Sequence, residues 1–96
     1  MKLKPKPLTK ETAEALALQG LTFLAGDAAR LSRFLTLTGI DPGDLRDWDG
    51  NTAIQGAVLE HLLSDESLLL VFAAEAGVGP ETIAPSHMLL TGERWE

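Results

Sequence analysis

Two stretches of the chain carry one pattern at a constant offset. "LTFLAGDAARLSRFLTLTGIDPGDL" (residues 21–45) and "LEHLLSDESLLLVFAAEAGVGPETI" (residues 59–83) align without a gap, 38 residues apart. Leu21, Leu24, Asp27, Leu31, Phe34, Gly39 and Pro42 match Leu59, Leu62, Asp65, Leu69, Phe72, Gly77 and Pro80, while Ile40 and Leu45 match Val78 and Ile83. Chance does not set nine such matches in one register, so the chain reads as a duplicated helical unit.

Each shared position has a structural job. Leu21 and Leu24, like Leu59 and Leu62, are i, i+3 pairs that close a first helix. Asp27 and Asp65 stand where an N-cap carboxylate accepts orphan N–H groups of a second helix, a cap worth about 1 kcal/mol. Leu31, Phe34, Leu35 and Thr38 then share one helical face, as do Leu69, Phe72, Ala73 and Ala76. Gly39 and Gly77 follow as left-handed stops, and Pro42 and Pro80 suit the first turn of another short helix. The fold class expected is all-α: a small bundle of two tandem pseudo-repeated helical hairpins, five to six helices including the short ones. A chain of 96 residues makes one domain. Its expected division is a basic arm over 1–9, a helical domain over 10–85 (repeat 1 about 10–47, repeat 2 about 48–85) and a C-terminal segment over 86–96, docked or flexible. Pro85 argues against a long regular helix through that last stretch.

"GIDPGDLRDWDGN", residues 39–51, sets four aspartates in a turn-rich segment. A calcium loop needs oxygen ligands at positions 1, 3 and 5, glycine at 6 and a bidentate Glu at 12. With Gly50 at position 6, Asp47 and Asp49 fall at 3 and 5, but positions 1 and 12 are Leu45 and Gly56. In the second unit Asp41 and Asp44 become Gly79 and Thr82, while the glycine, proline and aliphatic positions persist. The segment reads as a joint: Asp41 caps the short helix, Asp44 favours its dipole, and Asn51 caps the helix after it.

Charge is divided along the chain. Lys2, Lys4, Lys6 and Lys10 lie in the first ten positions, and residues 11–96 hold four arginines against all fourteen acidic residues, a net charge of −10. So acidic a body repels phosphate backbones. No run approaches the roughly 18 apolar residues of a membrane span. "ALALQGLTFLAG" after the lysines faintly resembles a signal peptide, but Glu11 and Glu14 precede it, Gln19 interrupts it and its residues belong to the repeat. With no cysteine, disulfides and thiolate chemistry are excluded, which suits a reducing cytoplasm.

The halves differ on the second helix. Off its apolar stripe unit one has Arg30, Ser32, Arg33 and Thr36; unit two has Leu68, Leu70, Val71 and Ala74. A helix apolar all round must be covered, and an uncovered patch is an association site. The first helix, the stretch "SHMLLTGERWE" with Met88, Leu89, Leu90 and Trp95, or another chain would supply the cover. Leu68, Leu70, Val71 and Ala74 are thus the candidate interaction face. Gly20 and Gly56, inside expected helices, point to close crossings or kinks. Trp48 and Trp95 are expected to pack over the core.

Catalytic groups do not assemble in the sequence. His61 follows Ile54, Ala57 and Val58 on one helical face, aligns with Phe23 and reads as a core-edge residue. No second histidine stands four residues from it, and no nucleophile elbow, phosphate loop or dinucleotide fingerprint is present. The expectation is a protein without enzymatic activity, cofactor or metal.

The run "ALALQGLTFLAGDAARLSRFLTLTGIDPGDL" with "AVLEHLLSDESLLLVFAAEAGVGPETI" resembles a small, mainly alphaproteobacterial family, domain of unknown function 3572, over about residues 10–85. The resemblance implies a compact helical bacterial protein and brings no activity or site residues. The function expected is a cytoplasmic protein-interaction module that associates with itself or with another protein. The alternative is a nucleic-acid binder that uses Lys2, Lys4, Lys6, Lys10, Arg30 and Arg33 of a helix-turn-helix-like unit; the charge of the body weighs against it.

Overall fold

The computed structural model describes residues 8–92, all-α as expected. Its five α-helices are α1 (Lys10–Ala25), α2 (Ala28–Thr38), α3 (Thr52–Leu63), α4 (Glu66–Ala76) and α5 (Ile83–Thr91). Short 3₁₀ turns over Pro42–Asp47 and Pro80–Thr82 follow α2 and α4. Local chemistry sets these bounds. Asp27 Oδ1 accepts hydrogen bonds from the Ala29 and Arg30 N–H groups at 2.9 and 3.1 Å, and Asp65 Oδ1 accepts from Leu68 N–H at 3.1 Å. Gly39 and Gly77 end α2 and α4 at φ of 72° and 69°, a left-handed conformation in which a Cβ would be strained. Both helices have 11 residues.

The aspartate-rich segment is a capped joint. Asp41 Oδ1 accepts from Gly43 N–H at 2.8 Å, and Asp44 Oδ2 accepts from Asp41 N–H at 3.2 Å, a reciprocal pair around the 3₁₀ turn. Trp48 packs against the core, and its carbonyl accepts from Gln55 Nε2 at 3.0 Å, which ties the joint to α3. Asn51 Oδ1 accepts from Ile54 N–H at 3.2 Å and starts α3.

Helices α1, α3 and α5 pack on one another, α2 lies across α1 and α3, and α4 lies across α3 and α1. Leu24, Phe34, Val58, Leu59, Leu62, Phe72 and Ile83 fill the space between them. Both helical glycines mark close crossings. A Cβ on Gly20 would stand 2.9 Å from Val58 Cγ1, where α1 meets α3, and one on Gly56 would collide with Thr91 Cγ2, where α3 meets α5. The kink offered as the other reading is not needed.

Pro85 argues against a long regular helix through the C-terminal segment over 86–96, and a helix of nine residues forms there: α5 ends at Thr91 and has Ile83, Ser86, His87 and Leu90 buried, so the described part of the segment is docked. Pro85 is the third residue of α5, inside the first turn, where its missing N–H has no intrahelical acceptor to lose. Under the 38-residue offset α5 corresponds to residues 45–53, which form a 3₁₀ end, a turn and the entry to α3. Among the described residues no single helix is long and apolar enough to cross a membrane, and α4 meets the segment 80–91 at a 107° bend.

Candidate interaction surface

Helix α4 turns Leu69, Phe72, Ala73 and Ala76 inward. Leu68, assigned from the sequence to the outer face, is half-buried against the core instead, because it lies on the flank shared with the inward residues. Leu70 and Val71 remain 49 % and 42 % exposed, with Ala74 and Ser67 exposed beside them. Neither α1 nor α5 covers this face: α5 lies on α3 and α1, with Leu90 buried and Met88 and Leu89 exposed. Trp95 lies outside the described residues. Ser67, Leu70, Val71 and Ala74 form an uncharged strip on a chain of net charge −6.

A groove of about 370 Å³ lies between α1 and α4, walled by Leu18, Gln19 and Thr22 on one side and Glu75 and Ala76 on the other. Its floor is the Phe23–Phe72 pair, ring centroids 5.5 Å apart and tilted by 58°. Arg30 reaches in from α2. Its guanidinium lies 4.3 Å from the centre of the Phe23 ring, and Nη1 is 4.0 Å from Glu75 Oε2. The cation–π contact is the stronger tie, since a long, solvent-screened ion pair contributes little. Arg30 therefore joins α1, α2 and α4. Of the other cations considered for nucleic acid, Arg33 and Lys10 are exposed on α2 and at the start of α1, and Lys2, Lys4 and Lys6 lie outside the described residues.

A second groove, about 450 Å³, lies between the end of α2 and α3. Leu37, Thr38 and Ile40 form one wall, and Ala57, Glu60 and His61 the other. His61 is 7 % exposed, as its core-edge reading requires, and stands edge-on to Phe34 with ring centroids 5.3 Å apart at 71°. Its Nε2 is buried and has no hydrogen-bond partner. Burial pushes its pKa below the usual 6.5, the Arg33 guanidinium adds to that, and Asp65 opposes it. The unfolded chain therefore binds the proton more readily than the folded one, so stability is full above pH 6.5 and falls as the pH drops below it. Urea unfolding at stepped pH between about 7 and 5 is expected to show this slope, with His61→Phe removing part of it.

Among the described residues no group of three or more His, Asp or Glu side chains gathers that could hold a metal. Sequence reasoning did not reveal either groove. Their one trace in the sequence is the alignment of His61 with Phe23, which marks two ring positions as equivalent without showing what each ring meets.

The model of a family described as "Protein of unknown function (DUF3572)" matches residues 10–93 and so takes in all five helices. No curated protein and no solved structure gives a match. The chain belongs to the DUF3572 family of proteins of unknown function.

Proposed function

We propose that this protein is a non-catalytic interaction module that self-associates through the outward face of α4. The observation that carries the reading is the pair Leu70 and Val71, nearly half exposed on a strip without charge. Acidic molecules repel one another over most of their surface. Contact through this strip sets no carboxylate against a carboxylate at its centre, and each apolar Å² it removes from water contributes roughly 25 cal/mol. A two-fold pairing sets the same strip of each copy against the other. The non-catalytic part of the reading is supported at His61, where the Ser64 hydroxyl donates to the backbone carbonyl at 2.7 Å and does not address the imidazole. The compartment in this reading is the cytoplasm, in keeping with a chain free of cysteine.

Light scattering over a range of protein concentrations tests it. The expected result is a mass that rises to twice that of the chain. Leu70→Glu and Val71→Arg, each placing a charge in the strip, are expected to give a folded monomer with unchanged helical circular dichroism. A native chain that stays monomeric at every concentration overturns the reading.

A further inference from the structure

Positions related by the 38-residue offset meet across the molecule. Phe34 aligns with Phe72 and Phe23 with His61. The structure pairs Phe34 with His61 and Phe72 with Phe23, at 5.3 and 5.5 Å, so the two ring contacts are one contact with its halves exchanged. Gly20 aligns with Val58, and the two lie against each other. The offset relates α2 to α4, and it relates residues of one groove to residues of the other. Gln19, Thr22, Phe23, Glu75 and Ala76 of the α1/α4 groove correspond to Ala57, Glu60, His61, Leu37 and Thr38, all of which line the α2/α3 groove.

The paired grooves differ in what fills them. In the α1/α4 groove the chain supplies its own cation, Arg30, to the Phe23 face and to Glu75. The counterparts of Arg30 and Glu75 are Leu68 and Leu37, both apolar. Leu37 is 63 % exposed on the rim. The carboxylate of the α2/α3 groove is instead Glu60, in the place of Thr22, and among the described residues it makes no ion pair. The His61 imidazole, nine-tenths buried and lining the same groove, has an Nε2 without a partner. Ala53, Ala57 and Glu60 also border a neighbouring depression that continues past Gly56 to Thr91. The outer side of α3 is thus a track of small side chains along a helix of 12 residues, about 18 Å long.

We propose that the α2/α3 groove binds the apolar face of a basic amphipathic helix from a partner protein, with an Arg or Lys of that helix pairing with Glu60. A track of small residues lets a second helix axis come close, and apolar walls receive side chains spaced i, i+3, i+4. Arg33 stands near His61 but forms no ion pair with Glu60, so the cation that pairs with Glu60 is supplied by the partner. The acidic body steers such a helix in and rejects an acidic one. This site is independent of self-association at α4, since the two use different helices.

A designed, fluorescently labelled helical peptide with leucine at i, i+3, i+4 and i+7 and lysine elsewhere is the probe; its twin carries glutamate in place of lysine. Anisotropy is expected to show saturable one-to-one binding of the lysine peptide, and amide shifts are expected to concentrate between Ala53 and Ser64. Ala57→Trp fills the groove and weakens binding by at least about tenfold. Glu60 is exposed, so Glu60→Lys keeps the fold; it weakens the lysine peptide by about tenfold and admits the glutamate peptide. Leu89→Glu, on the exposed side of α5, leaves binding unchanged. Binding that does not saturate, or that is equally tight in Glu60→Lys, overturns the proposal. So does binding lost in Leu70→Glu and kept in Ala57→Trp, which assigns the peptide to α4.

Discussion

Phe34→Ala is expected to destabilise the protein by about 3–5 kcal/mol, the range for truncating a fully buried phenylalanine. Phe34 is the one buried side chain of α2 and is wholly shielded from solvent. Its ring also supplies the contact that holds His61. Removing it leaves a cavity at the junction of α2 and α3 and strips α2 of its anchor. A domain of this size has a total stability of roughly 5–10 kcal/mol. The variant should therefore unfold at much lower urea, and its α2 amides should exchange faster than those of α1 and α3 well before the global transition. Urea titration followed by far-UV circular dichroism, with hydrogen exchange read helix by helix, checks both parts. A loss under about 1 kcal/mol would show that α2 is not held by this ring.

The second large effect lies at the α3/α5 crossing. Gly56→Ala should be destabilising by up to about 2 kcal/mol, an overpacking cost of about 1–3 kcal/mol less the roughly 1 kcal/mol gained when alanine replaces glycine in a helix. The added Cβ meets Thr91 Cγ2, a methyl on a β-branched side chain with restricted rotation. Thr91 Oγ1 also donates to the His87 carbonyl at 2.9 Å, which resists a change of rotamer. Thr91→Ser removes the obstructing methyl and keeps the hydroxyl. The double variant should therefore recover most or all of the loss, giving a coupling of about 1–3 kcal/mol in a double-mutant cycle. Additive losses would mean that the crossing relaxes elsewhere and that the methyl contact is not what excludes a side chain at residue 56.

The two effects bear on function differently. Phe34 sets the position of the α2 wall and of His61, so its loss should also disturb the α2/α3 groove. Gly56 acts beside that groove, where α5 closes against α3. Neither residue touches the outward strip of α4. Self-association measured on the Gly56→Ala/Thr91→Ser protein should therefore match that of the native chain, so packing and assembly can be tested apart.

Helix ends were legible in the sequence because they rest on chemistry that spans three or four residues. Asp27, Asp65 and Asn51 cap the helices that follow them, Gly39 and Gly77 stop α2 and α4, and Pro42 opens its turn. The glycine crossings were half legible: a glycine inside an apolar helix signals close approach, but Val58 and Thr91 as the neighbours do not follow from it. The sequence marks Leu70, Val71 and Ala74 as an apolar outer face of α4 but leaves its cover open among the first helix, the C-terminal stretch and another chain, and it sets Leu68 on that face although the structure half-buries it.

What only the tertiary structure decided is which face meets which. Repeat spacing alone fits Phe34 packing on its own unit as well as on the other; the fold sends it to His61 and sends Phe72 back to Phe23. Arg30, one polar residue among several in the sequence, becomes the cation of the α1/α4 groove. Pro85 looked like a barrier to helix, yet it fits the first turn of α5, whose apolar side completes the core. The reason is the range of the forces. Caps and stops are decided by hydrogen bonds between near neighbours along the chain. The choice of partner face is decided by apolar area buried between residues far apart in sequence, and that choice exists only once the helices have come together.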